Sequence, residues 1–370
     1  MSLVELLKDT GHRFVSGVPD STLKALCFDL ASCEKFSHVP AASEGAAVAM
    51  GIGNWLATAE RPLVYMQNSG LPNGLNPLLS LSSTAAFDVP MTLVVGWRGK
   101  PGHSDEPQHR LVGEHTAQLL RTAEFFIVQI DRPLDQGLSH QIREALNEKS
   151  RVALLVSPGV KLSLGAPAQP TPVVSPRISK TALLSLLLEL PKQSHVLVGG
   201  IGHTSRQLLK LRGERGEDTS LDFHCVGGMG FASSVAAGIA RSSKSAHVIC
   251  LDGDGSFLMH GTSASAFAST AGVRLTHVVL ANGVHASVGG HPVCSAQIDY
   301  DAIARGVGYD RVTTGTSLEV IRSAVEAGPD LRRPQFLIAH VDNGDVTSLP
   351  RPAIALPEAA RTFQELNFKH

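Results

Sequence analysis

The residues with the sharpest chemical signature lie at 252–256 and 282. The apolar run in HVICLDGDGSFLMHG stops at Asp252-Gly253-Asp254-Gly255-Ser256, and a second run, THVVLANGVHASVGG, reaches Asn282, 28 positions after Asp254. If both runs are strands of one parallel sheet, their ends leave the same edge, where such folds hold their ligands. Asp254 and the side-chain oxygen of Asn282 then share one hard cation, with a backbone carbonyl near Val284 as a third oxygen. Oxygen-only ligation with open positions suits Mg2+ bound to a phosphorylated ligand. Gly253 and Gly255 let the turn approach phosphate closely, and Ser256 stands where a following helix offers free N–H groups. A Gly-Asp-Gly by itself is more often a plain turn; the strand before it and Asn282 at this distance favour the metal and phosphate reading.

A second signal is a lone acid. HVPAASEGAAVAMGIGNWLAT places Glu44 at the start of an Ala- and Gly-rich helix. A carboxyl in such apolar surroundings has a raised pKa and can exchange a proton near neutral pH. The plainer account is an acid stabilised by the helix macrodipole.

The elements that must position these groups follow from hydrophobic patterning. Apolar, β-branched runs (HRFVSGV, LVYMQ, MTLVVG, EFFIVQI and RVALLV) alternate with helical periodicity in the first half. The alternation restarts with HVLVGG, HVICLDGDG, THVVLANG and FLIAHV in the second. This is the pattern of parallel sheets covered by helices on both faces. Between them the Pro-, Ser- and Gly-rich stretch from about 157 to 180 reads as a linker. The expected organisation is α/β with two domains, 1–160 and 181–370, joined by a linker at 161–180.

Composition narrows the function classes. With 43% hydrophobic and 18% charged residues and a net charge of −1, the 370-residue chain is that of a globular protein with no polyanion-binding surface. Nucleic acid is not an expected partner. The scattered cysteines Cys27, Cys33, Cys225, Cys250 and Cys294 read as reduced thiols, with no zinc or redox spacing. MSLVELLKDTGHRF reads as an amphipathic helix and not as a leader, and no apolar run spans a bilayer. A cytoplasmic location without membrane association is expected.

The turn at Asp254 with Asn282, and the Glu44 segment, resemble the two halves of the thiamin-diphosphate enzymes, over nearly the whole chain. The resemblance implies two thiamin-diphosphate-binding-fold domains: 1–160 holding the pyrimidine and 181–370 the diphosphate, with Mg2+ on Asp254, Asn282 and the Val284 carbonyl. It implies that Glu44 hydrogen-bonds the pyrimidine N1′. CVGGMGFASS is similar to the stretch that clamps the cofactor, with the Gly227 carbonyl accepting from N4′ and Met229 wedged between the rings; Met229 as a core gap-filler is the alternative. GHTSRQL looks like a second phosphate contact through Thr204 and Ser205, compatible with plain helix capping. The family builds its sites at a homodimer interface or in higher homo-oligomers.

Within that family, SGVPDSTLK, VYMQNSGLPNGLNPLLSL, GWRGKPGHSDEPQH and HASVGGHP resemble the phosphonopyruvate decarboxylases, and then the sulfopyruvate decarboxylases, both of which lack a central third domain. The implied reaction is decarboxylation of a small anionic 2-oxo acid, phosphonopyruvate first. Sulfopyruvate, or carboligation of another small 2-oxo acid, is the alternative within enzymes. A catalytically silent subunit is the alternative outside them, and it has no need of Glu44, Asp254 and Asn282 together. A substrate bearing a carboxylate and a phosphonate requires cations and donors. Candidates are Arg98, Lys100, His103, Arg110 and His291, each of which taken alone reads as a solvated surface residue. His109 and His285 are candidates for the proton relay, and Asp20 for a substrate contact or a turn. The chain departs from the family at Ala281, where many members have a first Asn, at Ala286, where close relatives tend to have an acid, and at His203, where they tend to have Lys. These departures bear on the substrate more than on the cofactor.

Overall fold

Period-two burial divides each strand between two cores. In Leu63–Gln67, Leu63 and Tyr65 join one hydrophobic cluster while Val64 and Met66 join another. A strand sandwiched in this way must carry helices on both faces. The computed structural model describes residues 2–162, 178–191, 195–243, 246–293, 298–344, 349–350 and 355–368, and it has that arrangement twice. Most of the stretch expected as a linker at 161–180, and Cys294, lie outside the described residues.

The first unit comprises Met1–Thr171 with Ser287–Ser295. Its strands are β1 (Phe14–Gly17), β2 (Ser37–Pro40), β3 (Leu63–Gln67), β4 (Met91–Gly96), β5 (Phe126–Ile130) and β6 (Arg151–Val156), in the sheet order β2-β1-β3-β4-β6-β5. All neighbours pair in parallel. Helices α1 (Leu3–Asp9), α2 (Lys24–Ser32) and α6 (Gln136–Glu148) cover one face. Helices α3 (Glu44–Thr58), α4 (Leu71–Ser80) and α5 (Pro107–Thr122) cover the other. The opening helix starts in a capping box, Ser2 Oγ accepting from the Glu5 N–H and Glu5 from the Ser2 N–H.

The second unit comprises Pro172–Ala286 with Ala296–His370. Its helices are α7 (Lys180–Glu189), α8 (His203–Glu214), α9 (Ala232–Ser242), α10 (Asp254–His260), α11 (Tyr300–Gly306), α12 (Leu318–Glu326) and α13 (Leu356–Phe368). Its strands are β7 (His195–Gly199), β8 (Phe223–His224), β9 (His247–Gly253), β10 (Leu275–Ala281), the two-residue β11 (Val284–His285), β13 (Arg311–Gly315) and β14 (Gln335–His340); the two-residue β12 (His291–Pro292) falls in the stretch that belongs to the first unit. The sheet runs β13-β14-β10-β9-β7-β8, parallel throughout. Helices α7, α8 and α12 pack on one face and α9, α10 and α11 on the other. No helix among the described residues is long and apolar enough to cross a membrane.

Two buried polar residues fasten the first unit. The Arg151 guanidinium is 3% exposed and donates to the carbonyls of Ser82, Val89, Leu78 and Ala123 and to Ser82 Oγ. Its face lies 4.7 Å from the Phe125 ring centre. It thereby meets carbonyls at and beyond the end of α4 that no helical N–H reaches. Replacing Arg151 with Met takes this donor from the Val89 and Ala123 carbonyls, while those of Leu78 and Ser82 keep Ser82 Oγ and the Val89 N–H. The expected loss is at least about 3 kcal/mol of unfolding free energy, measured by urea denaturation; a loss below about 1 kcal/mol would refute the fastening role.

His12 is held neutral: Nδ1 lies 3.1 Å from the Leu7 carbonyl, to which it donates, and Nε2 accepts from Thr92 Oγ1 at 2.8 Å. Burial pushes its pKa down to about 4. Because the folded value lies below the unfolded one, the stabilisation is complete above about pH 6.5 and is lost as pH falls towards 4. The disadvantage of His12→Gln relative to the natural chain should therefore shrink by about 3 kcal/mol between pH 7 and 4. Denaturant titrations of the two proteins across that range test this, and a constant difference would contradict it.

Candidate active site

In the first unit the ends of β1, β3 and β4 share one sheet edge, and each delivers a polar residue there. Asp20, just after β1, is 1% exposed. It accepts from the Thr22 and Leu23 N–H groups, both at 3.1 Å, and from Gln67 Nε2 at 2.5 Å. Burial pushes its carboxyl above the ordinary range. Asn68, fully buried, ties the ends of β3 and β4 together: Nδ2 donates to the Arg98 carbonyl and to Thr116 Oγ1, and Oδ1 accepts the Arg98 N–H.

Glu44 is the first residue of α3, after Ser43, whose hydroxyl caps the helix. It is 5% exposed, and burial raises its pKa against the pull of the Asn73 Nδ2 hydrogen bond at 3.0 Å. Its other oxygen lies against Gly70, where a Cβ would sit 2.0 Å from Glu44 Oε1. Only glycine leaves space for this carboxyl.

The expected anion-binding residues divide. The Arg98 guanidinium is clasped by Asp105 at 2.8 and 2.5 Å, and its third nitrogen lies 3.3 Å from Ser21 Oγ. Lys100 is paired with Asp131 at 2.5 Å and donates to Ser157 Oγ. Arg110, with its side chain 83% exposed, pairs with Glu114 one helical turn away. His103 is exposed. His109 differs from these: it is buried, its Nδ1 has no hydrogen-bond partner among the described residues, and burial, with Arg98 beside it, lowers its pKa. His291, also buried, stacks on Phe28 at 3.8 Å.

In the second unit β9 and β10 pair with Leu280 opposite Gly253, so Asp254 and Asn282 leave the same edge. Asp254 is 3% exposed; Oδ1 accepts from the Gly255 N–H at 2.8 Å and Oδ2 from the Gly283 N–H at 2.6 Å. Burial pushes its carboxyl up while these N–H groups pull it down. Asn282 is oriented from both ends: Oδ1 accepts from the Val284 N–H and Nδ2 donates to Asn343 Oδ1. Ser256 Oγ accepts the Gly230 N–H at 2.9 Å, which binds the loop carrying Gly227 and Met229 to this turn. The His285 ring covers the turn, since a Cβ on Gly255 would lie 2.6 Å from its Cε1. Thr204 and Ser205 stand in the first turn of α8, but the Ser205 hydroxyl is spent on the Gly200 carbonyl at 2.7 Å.

This donor set fits a divalent cation bound with a diphosphate. A dry carboxylate whose only protein donors are backbone N–H groups is held ionised by an adjacent metal, and carboxylate, amide and carbonyl oxygens are what Mg2+ takes. Among the described residues no three His, Cys, Asp or Glu side chains gather as a metal site. The remaining ligands would thus be ligand and water oxygens.

Sequence reasoning missed Gln67, Asn68, Asn73 and Asp105, which position Asp20, Arg98 and Glu44. The pair Gln67-Asn68 at the end of an apolar strand was the available signal. It also missed the buried pair behind the turn, where His277 Nε2 faces Asp252 Oδ2 at 3.6 Å and Nδ1 lies 2.9 Å from Tyr309 Oη.

Residues 1–119 match the N-terminal TPP binding domain of the thiamine pyrophosphate enzymes, and residues 200–339 match the C-terminal TPP binding domain; thiamine pyrophosphate and thiamin diphosphate are one compound. The chain is 33% identical to a phosphonopyruvate decarboxylase of Streptomyces hygroscopicus, over 97% of this chain and 91% of the relative. It is 32% identical to that of Streptomyces viridochromogenes, over 98% and 93%. A sulfopyruvate decarboxylase of Methanosarcina acetivorans is 27% identical over 98% and 96%. With matches to both binding domains and relatives aligned from end to end, the chain belongs to the thiamine pyrophosphate enzyme family.

Proposed function

We propose that this enzyme decarboxylates 3-phosphonopyruvate to phosphonoacetaldehyde and CO2, using thiamin diphosphate and Mg2+. The observation that carries the reading is a buried Glu44 with a raised pKa in one unit and Asp254 with Asn282 at one sheet edge in the other, in a chain aligned throughout with phosphonopyruvate decarboxylases. Residues 1–160 act as the pyrimidine-binding domain and 181–370 as the diphosphate-binding domain, with 161–180 between them.

Asp254, Asn282 and the Val284 carbonyl hold the cation. Gly253, Gly255, Ser256 and the first-turn N–H groups at Thr204 and Ser205 surround the phosphates. Gly227 and Met229 shape the cofactor through the loop anchored on Ser256. Glu44 exchanges a proton with the pyrimidine ring, a task suited to its raised pKa. Bound there, thiamin diphosphate supplies the nucleophilic carbon and the sink for the electron pair released with CO2. His109 and His285 are the residues suited to move the final proton. Asp20, with Gln67 beside it, faces the substrate.

Of the cations, Arg98 is held in place by Asp105 for an anion at its Ser21 side, and His291 stands in the same unit. Lys100 and Arg110 have their charges met by Asp131 and Glu114, so His103 is the freer of the loop donors. The assembly is a homodimer or larger, each active site taking Glu44 from one chain and the Asp254 motif from another.

A substrate panel tests the reaction. Phosphonopyruvate should be decarboxylated faster than sulfopyruvate or pyruvate, and chelation of divalent metal should abolish turnover. Preference for sulfopyruvate would move the chain to that class of relative, and turnover in metal-free, cofactor-free protein would end the cofactor reading.

Two variants test the division of roles. Glu44→Gln should keep cofactor binding and lose about two to four powers of ten in turnover, whereas Asp254→Ala should lose the cofactor. Mixed oligomers of the two inactive variants should regain about a quarter to a half of natural activity, since a hybrid dimer contains one intact site. Hybrids that stay inactive would place both halves of a site on one chain.

A further inference from the structure

Lys180 opens α7 and is only 5% exposed. Lysine is almost never buried to this degree without a counter-charge. Among the described residues, no hydrogen bond or ion pair engages its ammonium, and the charges acting on it are those of Asp254 and Asp342, with His203 on the same side. Both carboxylates are already occupied. Asp342 Oδ1 accepts the N–H groups of Lys180 and Gly344, each at 2.9 Å, and Asp254 accepts those of Gly255 and Gly283.

Two further unmet groups stand beside it in α8. That helix begins at Gly202 (φ 101°) with no side-chain cap, which leaves its first-turn N–H groups for another acceptor. His203, its first residue, has a buried Nδ1 without a hydrogen-bond partner among the described residues. Burial, with Lys180 and Arg206 near it, lowers the His203 pKa, so this imidazole brings a polar atom but no positive charge. Ile178 bridges to Val341, whose N–H donates to the Ala281 carbonyl, so the start of α7 stands at the β9 and β10 edge that carries Asp254; the ammonium, the imidazole and the helix N-terminus there together call for an anion.

We propose that Lys180 is a diphosphate-binding residue, supplying from α7 the positive charge that balances the cofactor's phosphates beside Asp254. The assignment rests on the reading of the β9 and β10 edge as a diphosphate site. A diphosphate that shares one divalent cation remains anionic, and the adjacent Asp254 carboxylate adds to that charge. A buried ammonium both offsets the excess and donates charge-assisted hydrogen bonds. In the absence of ligand the same ammonium is a cost to the fold.

The experiment is calorimetric titration of the full chain, free of cofactor, with thiamin diphosphate and Mg2+, together with thermal melts without ligand. Lys180→Met should weaken binding about 10- to 100-fold, the span of one charge-assisted hydrogen bond, while its melting temperature without ligand stays the same or rises as an unpaired buried charge is removed. Lys180→Arg, which keeps the charge, should bind within about threefold of the natural chain, a difference well under one charge-assisted bond. If Lys180→Met does not fold, Lys180→Gln takes its place. Undiminished affinity in the neutral variant, with or without a lower melting temperature, would overturn the assignment and make Lys180 structural. Failure of the natural chain to bind thiamin diphosphate would instead overturn the diphosphate site, and the role of Lys180 with it.

Discussion

The parallel register of β9 and β10 is the constraint on which the second unit's chemistry depends. With Leu280 opposite Gly253, both strands end at one level, and the chain beyond them must turn there. Those turns bring the Gly255 and Gly283 N–H groups onto a carboxylate removed from water. A slip by one residue would point Asp254 into the helical layer. Both strands are apolar on both faces and are packed between two helical layers, which keeps their ends dry.

The first unit solves a different problem, which is to keep acids dry without losing the fold. Asp20 is satisfied by two backbone N–H groups and an amide, and Glu44 by one amide. The fewer the donors, the more strongly desolvation dominates. Both carboxyls are raised by burial, and Asp20, with three donors, is the more firmly positioned of the two. Asn68 sets the spacing between strand ends that carries both Gln67 and Arg98.

Much of this was legible in the sequence, and the failures have physical causes. Runs such as LVYMQ, MTLVVG and RVALLV are strands to the residue, because central strands of a parallel sheet are apolar on both faces. Of the strands left unread, Val284–His285 and His291–Pro292 have two residues each, and Ser37–Pro40, Phe223–His224 and Arg311–Gly315 lie at sheet edges, where one side of the strand pairs with nothing and polar residues are tolerated. In the site, Asp254, Asn282 and Glu44 stood out because an acid or amide interrupts an apolar pattern. Arg98 and Lys100 could be picked out as cations, but sequence does not say that Asp105 and Asp131 already meet them. Ion pairs 7 and 31 residues apart are set by loop geometry, which leaves no periodic trace.

The contact between Glu44 and Gly70 ties two positions together over evolutionary time. While the carboxyl occupies that space, position 70 admits no side chain. Glycine there is thus a record of the acid 26 residues upstream, and not a requirement of the turn itself, since Gly70 does not adopt a left-handed conformation. A lineage that shortened residue 44 would release position 70 to drift. Descendants that kept the fold but not the acid would carry the evidence at position 70, in a side chain the present carboxyl excludes.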